Sequence, residues 1–104
     1  MEVHFNNKDL NDLYTTGKSS KFKNVPTYIV RKLPMAVDVL KSITVIQDIW
    51  KYPGYKFEAL INTKFYSLRF NKVWRLILDI EWKDKNKTVG IIGLEDLSHH
   101  YDKM

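Results

Sequence analysis

The sequence contains no cysteine, few glycines and prolines, and no long apolar run. Without cysteine, a disulfide framework, a thiolate nucleophile and a cysteine-ligated metal site are all excluded. Four glycines and three prolines leave no room for a flexible linker. No apolar run approaches the ~20 residues that span a bilayer, and the start lacks the basic and apolar regions of a signal peptide. We therefore expect a cytoplasmic protein with no membrane segment.

The residues that are present indicate one small folded domain. A 44% hydrophobic chain is too apolar to be disordered, and 104 residues are enough for a single core. We predict one domain over residues 1–104. Lysine and arginine outnumber aspartate and glutamate by 17 to 12, a formal net charge of +5. This excess favours an anionic partner, although many proteins with such a charge never bind nucleic acid.

Apolar residues in the first half of the chain recur at helical spacing. Residues 6–17 predict a first helix, with an asparagine as its N-cap and a glycine at its end. A basic loop follows over 18–24, and Pro26 marks the start of a second helix. Pro34 lies inside that second helix and predicts a kink or a break, because proline removes a backbone hydrogen bond. A short helical turn is predicted over 43–50.

The hydrophobic period then shortens to two, which is typical of strands. Residues 66–70 and 74–82 alternate between apolar and polar positions, while 88–94 is apolar on both faces like a central strand. Residues 55–60 predict a further strand. We therefore predict an α+β fold in which two N-terminal helices and a short helical turn pack on one face of a small antiparallel sheet. The residues after 94 are expected to lie just past the sheet.

The alternation also predicts the register of a hairpin. Cross-strand partners must share a face, and pairing Phe70 with Trp74 satisfies this rule along both strands. Arg69 then lies directly opposite Arg75, with roughly 5 Å between their Cβ atoms, on the face away from the core. Two adjacent guanidinium groups are suited to binding a phosphate. The alternative is an ordinary surface network of both arginines with the carboxylates of Asp79, Glu81 or Glu95.

The C-terminal segment carries groups suited to proton transfer. His99 and His100 are side chains that titrate near neutral pH, and Tyr101 offers a phenol. Adjacent histidines on an extended segment point to opposite faces, so only one of them can share a face with the arginines. The alternative is that both histidines are exposed and idle. The one other histidine is His4, and because no metal-ligand spacing occurs, we predict no metal site.

Other chemistry has little support in the sequence. Neither a phosphate-binding glycine loop nor a Gly-x-Ser-x-Gly elbow occurs, and no cofactor is predicted. Asp79 and Glu81 lie about 7 Å apart along a strand and are compatible with acid–base work, but solvated strand carboxylates are far commoner. The three tryptophans occupy periodic apolar positions, where core packing is favoured over base stacking. They are Trp50, Trp74 and Trp82.

Several segments together resemble the HigB branch of the RelE/ParE toxin superfamily. The most specific part is Tyr-Ser-Leu-Arg-Phe-Asn at 66–71 followed by Trp-Arg-Leu at 74–76. Phe-Glu-Ala-Leu at 57–60 precedes it, and a closing strand with a His/Tyr cluster follows. The resemblance covers nearly the whole chain. The RelE-like fold that it implies, two helices against a small antiparallel sheet, agrees with the periodicity.

The resemblance implies the toxin of a type II toxin–antitoxin system, which cleaves mRNA in the ribosomal A site without a metal ion or a small-molecule cofactor. Its implied partners are the ribosome, mRNA and a HigA-like helix-turn-helix antitoxin. The implied catalytic residues are Arg75, His99, His100 and Tyr101. The residues implied to bind RNA phosphates are Lys64, Arg69, Lys72 and Arg75.

The chain departs from the family pattern in two places. Many relatives end the last strand in Asp-Tyr-His, whereas residues 97–101 here read Leu-Ser-His-His-Tyr, which leaves open which histidine is the acid. Many relatives also have a longer Gly/Lys-rich loop before the third strand, where this chain has Lys64 as its one cation. Two alternatives therefore stay open: a ParE-like toxin that inhibits DNA gyrase, and a non-catalytic module that binds RNA or another anion.

Overall fold

The structure, a computed structural model, describes residues 1–99. Its helices are α1 (Lys8–Thr16), α2 (Thr27–Val30) and α3 (Lys32–Ser42), followed by 3₁₀ turns at Ile46–Lys51 and Pro53–Tyr55. Its strands are β1 (Glu2–Phe5), β2 (Glu58–Ala59), β3 (Tyr66–Arg69), β4 (Arg75–Trp82) and β5 (Gly90–Ser98). The five strands form one sheet in the order β1-β5-β4-β3-β2. The predicted α+β class is confirmed.

The sheet is mixed, and the prediction of a purely antiparallel sheet was wrong. β1 pairs with β5 in parallel, with Glu2 beside Ile91 and Phe5 beside Leu94, while the other strand pairs are antiparallel. The missed strand is four residues long, too short for a period of two to stand out from the start of a helix. It forms because it covers an edge of β5 that would otherwise leave backbone groups unpaired.

The second helical segment is divided into two helices. α2 ends at Val30 and α3 begins at Lys32, so the break lies at Arg31, three residues before Pro34. Pro34 has no N–H to donate to the carbonyl of Val30. The predicted break is therefore confirmed, and the described part of the chain has three α-helices rather than two.

The core lies between one face of the sheet and the helices. α1 contacts β1 and β5, and α3 contacts β1. Apolar side chains of both layers are completely buried there, among them Leu10, Leu33, Leu40, Leu68, Leu78 and Ile92. No helix within residues 1–99 combines the length and the apolar character needed to cross a membrane.

The 3₁₀ turns change two predictions made for residues 50–60. Trp50 is 68% exposed, so its predicted place in the core was wrong. Ile46 and Ile49 take the buried positions of that turn instead. The predicted strand over 55–60 is reduced to Glu58–Ala59, because the turn Pro53–Tyr55 occupies its beginning.

The last strand is longer than predicted and contains a β-bulge. It continues to Ser98 instead of ending at Leu94. Leu94 and Leu97 are both buried in the core although they lie three residues apart, a spacing that a regular strand does not allow. The register of β4 with β5 shifts by one residue at Glu95, and this bulge turns both leucines to the same face.

Two asparagines at the start of α1 bind this bulge. Asn6 Nδ2 donates to Glu95 Oε1 at 2.8 Å, and Asn7 Nδ2 donates to the Glu95 carbonyl at 3.0 Å. Asn7 is also the N-cap of α1, because its Oδ1 accepts from Leu10 N. Gly17 ends the helix at φ 78°, so both predicted caps are confirmed. The first helix is thereby fixed to the last strand.

Gly93 lies under Asn6, and a Cβ at this position would be 2.1 Å from Asn6 Nδ2. Gly93→Ala is therefore expected to lower the free energy of unfolding by about 1–3 kcal/mol, because Asn6 must move away from Glu95. Gly54→Ala is the matched control, since an added Cβ there meets no atom within 4 Å. Denaturant unfolding of both variants measures the difference, and equal midpoints would contradict the prediction.

Asp84 closes the turn between β4 and β5. Its carboxylate accepts from the Thr88 hydroxyl and from the backbone N–H groups of Thr88 and Val89, the latter two at 2.9 and 3.0 Å. These hydrogen bonds hold the pKa of Asp84 below its usual value of about 3.9, and the bond from the Thr88 hydroxyl has the largest effect. The ionised Asp84 therefore stabilises the folded state above about pH 4, and this contribution is lost as the pH falls through the lowered pKa.

Asp84→Asn is expected to lower Tm at pH 7, because an amide oxygen is a weaker acceptor than the carboxylate. The difference in Tm between the variant and the parent should shrink as the pH falls below about 4, because the parent carboxylate then also becomes neutral. Asp38→Asn removes the same charge from an exposed position of α3 and serves as the control. Thermal melts between about pH 2 and 7 would contradict the prediction if the difference in Tm stayed constant.

Candidate functional site

The hairpin of β3 and β4 has the predicted register. Arg69 lies opposite Arg75. Phe70 N donates to Trp74 O at 2.8 Å at the end of the hairpin, and Asn71 Oδ1 accepts from Trp74 N at 2.7 Å across the connecting turn. The two arginines are thus direct cross-strand neighbours, as the alternation of the two strands required.

Arg75 is buried and takes part in an ion pair. Its side chain is 9% exposed, and its Nη1 lies 3.1 Å from Oε1 of Glu58, whose side chain is 55% exposed. An ion pair was the predicted alternative to an anion site, but the partner is Glu58 of β2, which the sequence reasoning did not consider. Because Glu58 is exposed, it can be displaced without leaving a buried unpaired carboxylate.

Arg69 has a different environment from Arg75. Its Nε is buried and has no hydrogen-bond partner within residues 1–99. Arg69 is one of the residues that line a cleft of about 420 Å³, together with Lys32 of α3 and Tyr52. The two opposed arginines therefore differ in their surroundings, because Arg75 pairs with Glu58 and Arg69 adjoins the cleft.

The two predicted lysines lie near this hairpin. Lys64 Nζ is 3.8 Å from Oδ2 of Asp79 on β4, and Lys64 is largely exposed. A surface ion pair of this kind is weak, so phosphate can compete with it. Lys72 is exposed in the turn between β3 and β4. Both ammonium groups are therefore accessible to an anion.

His99 is the last residue that the structure describes. It follows Ser98, which lies opposite Arg75, and its ring packs against Trp74 with 4.6 Å between the ring centroids. Trp74 and Arg75 are adjacent in an extended segment and point to opposite faces, so His99 lies on the Trp74 side of the strand. His100 and Tyr101, the other two predicted residues of the cluster, lie outside the described residues.

The Trp74 and His99 rings line a second cleft, of about 260 Å³, together with Lys21 and Asn24. Trp74 is partly buried against the core, so its predicted core role is confirmed in part. Trp74 also lines this cleft, which the sequence reasoning missed. The signal was the density of lysines in the basic loop 18–24. A ring pair beside a lysine suits a nucleobase and its phosphate.

Metal ligands do not cluster in the part of the chain that the structure describes. Within residues 1–99 no three His, Asp or Glu side chains are grouped to hold an ion. His4 pairs with the carboxylate of Glu2 on β1, and this hydrogen bond holds the pKa of Glu2 below its usual range.

An α+β fold with opposed arginines in its central hairpin is compatible with a RelE-like toxin. Residues 3–91 match the family model of the HigB-like toxin, described as the RelE-like toxin of the type II toxin–antitoxin system HigB. The chain belongs to this family, which confirms the resemblance seen in the sequence, and membership implies an antitoxin partner. No curated protein and no solved structure gives a match. Residues 92–104, which include the His/Tyr cluster, lie outside the family match.

Proposed function

We propose that residues 1–104 act as a single cytoplasmic toxin domain, a ribosome-dependent endoribonuclease that cleaves mRNA in the A site without a metal ion. One observation carries the proposal. Arg75, whose guanidinium is buried, lies opposite Ser98, the residue that directly precedes His99 in the sequence. Membership of a RelE-like toxin family supports the same activity.

The proposed reaction is attack of a ribose 2′-hydroxyl on the adjacent phosphorus. The O2′–P bond forms and the P–O5′ bond breaks, which leaves a 2′,3′-cyclic phosphate and a 5′-hydroxyl. One group must accept the 2′ proton, cationic donors must stabilise the charge that develops on the phosphate oxygens, and one group must protonate the leaving O5′. Such a reaction requires no cofactor.

In this proposal Arg75 stabilises the developing charge, because its planar guanidinium offers paired donors to phosphate oxygens. The phosphate displaces the exposed carboxylate of Glu58, which otherwise neutralises the guanidinium. Arg69, Lys64 and Lys72 bind neighbouring phosphates of the RNA strand. Each of these contacts is electrostatic and does not depend on the base sequence.

We assign the proton transfer to His100, with Tyr101 in support and His99 as the alternate. His99 packs on Trp74, on the side of the strand away from Arg75. The sequence argument allows only one of two adjacent histidines to share a face with the arginines. His100 is therefore the preferred candidate for the residue beside the reacting phosphate.

Ribosomes programmed with an end-labelled message test the proposed activity. The purified chain is expected to cut the message in the A-site codon, equally well with and without a metal chelator, and to leave the same message intact when no ribosome is present. Primer extension locates the cut. Loss of cleavage in the chelator, or cleavage that needs no ribosome, would contradict the proposal.

A ParE-like inhibitor of DNA gyrase is the second candidate. It is favoured by the ion pairs of Arg75 with Glu58 and of Lys64 with Asp79, which occupy two of the four predicted phosphate-binding cations. The same preparation should be tested for inhibition of supercoiling by gyrase. Inhibition without mRNA cleavage would support this candidate, and the absence of both activities would leave the non-catalytic anion-binding module.

We expect the partner to be a HigA-like helix-turn-helix antitoxin that binds through an acidic segment. With five excess positive charges on the toxin, association should be steered electrostatically. Raising the salt concentration from about 50 to about 500 mM should lower the association rate constant on the order of tenfold and change the dissociation rate little. Stopped-flow mixing measures both, and an association rate indifferent to salt would indicate mainly apolar contacts.

A further inference from the structure

The cleft beside Arg69 has a role that the proposed cleavage chemistry does not require. It is walled by α3, by the 3₁₀ turn Pro53–Tyr55 and by the end of β3. Its volume of about 420 Å³ lies within the usual range for small-molecule sites, about 300–1,000 Å³. The lining residues that matter for its chemistry are Lys32, Met35, Tyr52, Tyr55 and Arg69.

The charge of the cleft indicates an anionic ligand. Lys32 and Arg69 are both cationic, and none of the lining residues within the described part of the chain is acidic. Lys32 Nζ uses one donor on the carbonyl of Phe70 at 2.5 Å and keeps its other donors. Arg69 Nε is buried and has no hydrogen-bond partner within residues 1–99. A buried donor without an acceptor is costly, so a ligand that supplied an acceptor to Arg69 would be favourable.

Two phenol rings form another wall of the cleft. The ring centroids of Tyr52 and Tyr55 are 6.3 Å apart, and the planes are inclined by 42°. The 3₁₀ turn holds both residues in place, because Tyr55 N donates to Tyr52 O at 3.1 Å. Tyr52 is 42% exposed and therefore has ring surface available. Burial, and to a lesser extent Tyr52, raises the pKa of Tyr55. Its hydroxyl, like that of any neutral phenol, can donate a hydrogen bond.

We propose that this cleft is a nucleotide subsite in which Lys32 and Arg69 bind a phosphate and the ring of Tyr52 stacks on the base. Cations beside exposed aromatic rings are the combination that binds single-stranded nucleic acid. An acidic peptide would satisfy the cations but would leave the rings without a stacking partner. A nucleotide is therefore the favoured ligand.

The inference rests on the proposed function and extends it. Arg69 lies directly opposite Arg75, so a nucleotide in the cleft would be a neighbour of the one cleaved at Arg75. The hairpin would then bind two neighbouring phosphates of one RNA strand. Arg75 would contact the reacting phosphate, and Arg69 would contact a flanking one. Tyr52 would favour a purine in the cleft, because a larger base stacks over a larger area.

Isotope-labelled full-length protein, titrated with adenosine 5′-monophosphate at low salt, tests the subsite by NMR. Amide shifts are expected at Lys32, Tyr52, Gly54 and Tyr55. Inorganic phosphate and adenosine are titrated separately, and each should bind more weakly than the nucleotide that contains both parts. Shifts that map to other surfaces would overturn the proposal.

Variants with a matched control separate a built subsite from general charge attraction. Lys32→Met is expected to weaken nucleotide binding about tenfold, and Lys32→Arg should restore it. Lys41→Met removes the same charge from an exposed position of the same helix and should leave the affinity within about twofold of the parent. Equal losses in Lys32→Met and Lys41→Met would overturn the subsite.

Tyr52→Leu tests the stacking without touching the cations. It should weaken nucleotide binding about fivefold and leave the binding of inorganic phosphate unchanged. Because Tyr52 is partly exposed, this variant provides the test even if Lys32→Met fails to fold. Equal nucleotide affinity of Tyr52→Leu and the parent would overturn the base-stacking role.

A glutamate-rich peptide supplies the remaining comparison. If it displaced the nucleotide from the same residues at lower concentration, the cleft would be a protein-binding site and the proposal would be overturned. The titrations use no ribosome, so a failure to bind nucleotide leaves the cleavage test standing. Nucleotide binding at the cleft without any ribosomal cleavage would support the subsite and overturn the proposed nuclease.

Discussion

Arg75→Ala is expected to lower mRNA cleavage on programmed ribosomes by a factor on the order of 10² or more. This is the scale seen when a donor that stabilises transition-state charge is removed from an enzyme. Arg75 lies opposite Ser98, the residue before His99, and its guanidinium is held in place by burial. Single-turnover cleavage of a labelled message measures the loss.

Glu58→Gln is the matched control for this variant. It removes the charge of the ion pair and leaves the guanidinium of Arg75 in place, so cleavage should be retained. Arg75 is buried, although it was predicted on the sheet face away from the core. Its removal should nevertheless leave the core intact, because the core packs on the other face of the sheet. A fall in Tm large enough to account for the lost activity would favour a structural role.

His100→Ala is expected to lower cleavage by a factor on the order of 10² or more, the usual scale for a general acid or base. The variant should also lose the inflection near neutral pH that a histidine gives to a rate profile. His99→Ala is the matched neighbour and should cost less, because the His99 ring packs on Trp74. Cleavage rates between about pH 5 and 9 measure both effects.

A C-terminal deletion tests whether the residues after the His/Tyr cluster are needed for cleavage. Removal of Asp102–Met104 leaves the His/Tyr cluster in the chain and should be tolerated. Equal cleavage by His100→Ala, His99→Ala and the parent would exclude both histidines from the mechanism. If the parent itself did not cleave, the gyrase-inhibitor candidate would become the preferred one.

The features predicted correctly depend on local pattern. The register of β3 with β4 follows from alternation over two adjacent strands joined by a short turn. The caps of α1 follow from asparagine and glycine at its two ends. In these cases the residues that decide the structure are close together in the sequence, so their chemistry could be interpreted without knowledge of the fold.

The predictions that failed depend on contacts between distant residues. β1 forms only because β5 presents a free edge more than eighty residues later in the chain. The bulge at Glu95 is held by Asn6 and Asn7, which lie at the other end of the chain. Partners so far apart in the sequence cannot be identified from a local pattern. The predicted sheet therefore lacked the parallel strand β1 and the last residues of β5.

For the candidate site, the sequence by itself determined which cations are present and that Arg69 and Arg75 are cross-strand neighbours. It also determined the family, since the specific segment at 66–76 lies inside the matched residues. Only the tertiary structure decided that Arg75 pairs with Glu58 while Arg69 lines the cleft with Lys32. Both partners lie outside the hairpin and reach it through the packing of β2 and α3, and side-chain partners of this kind are chosen by packing rather than by local sequence.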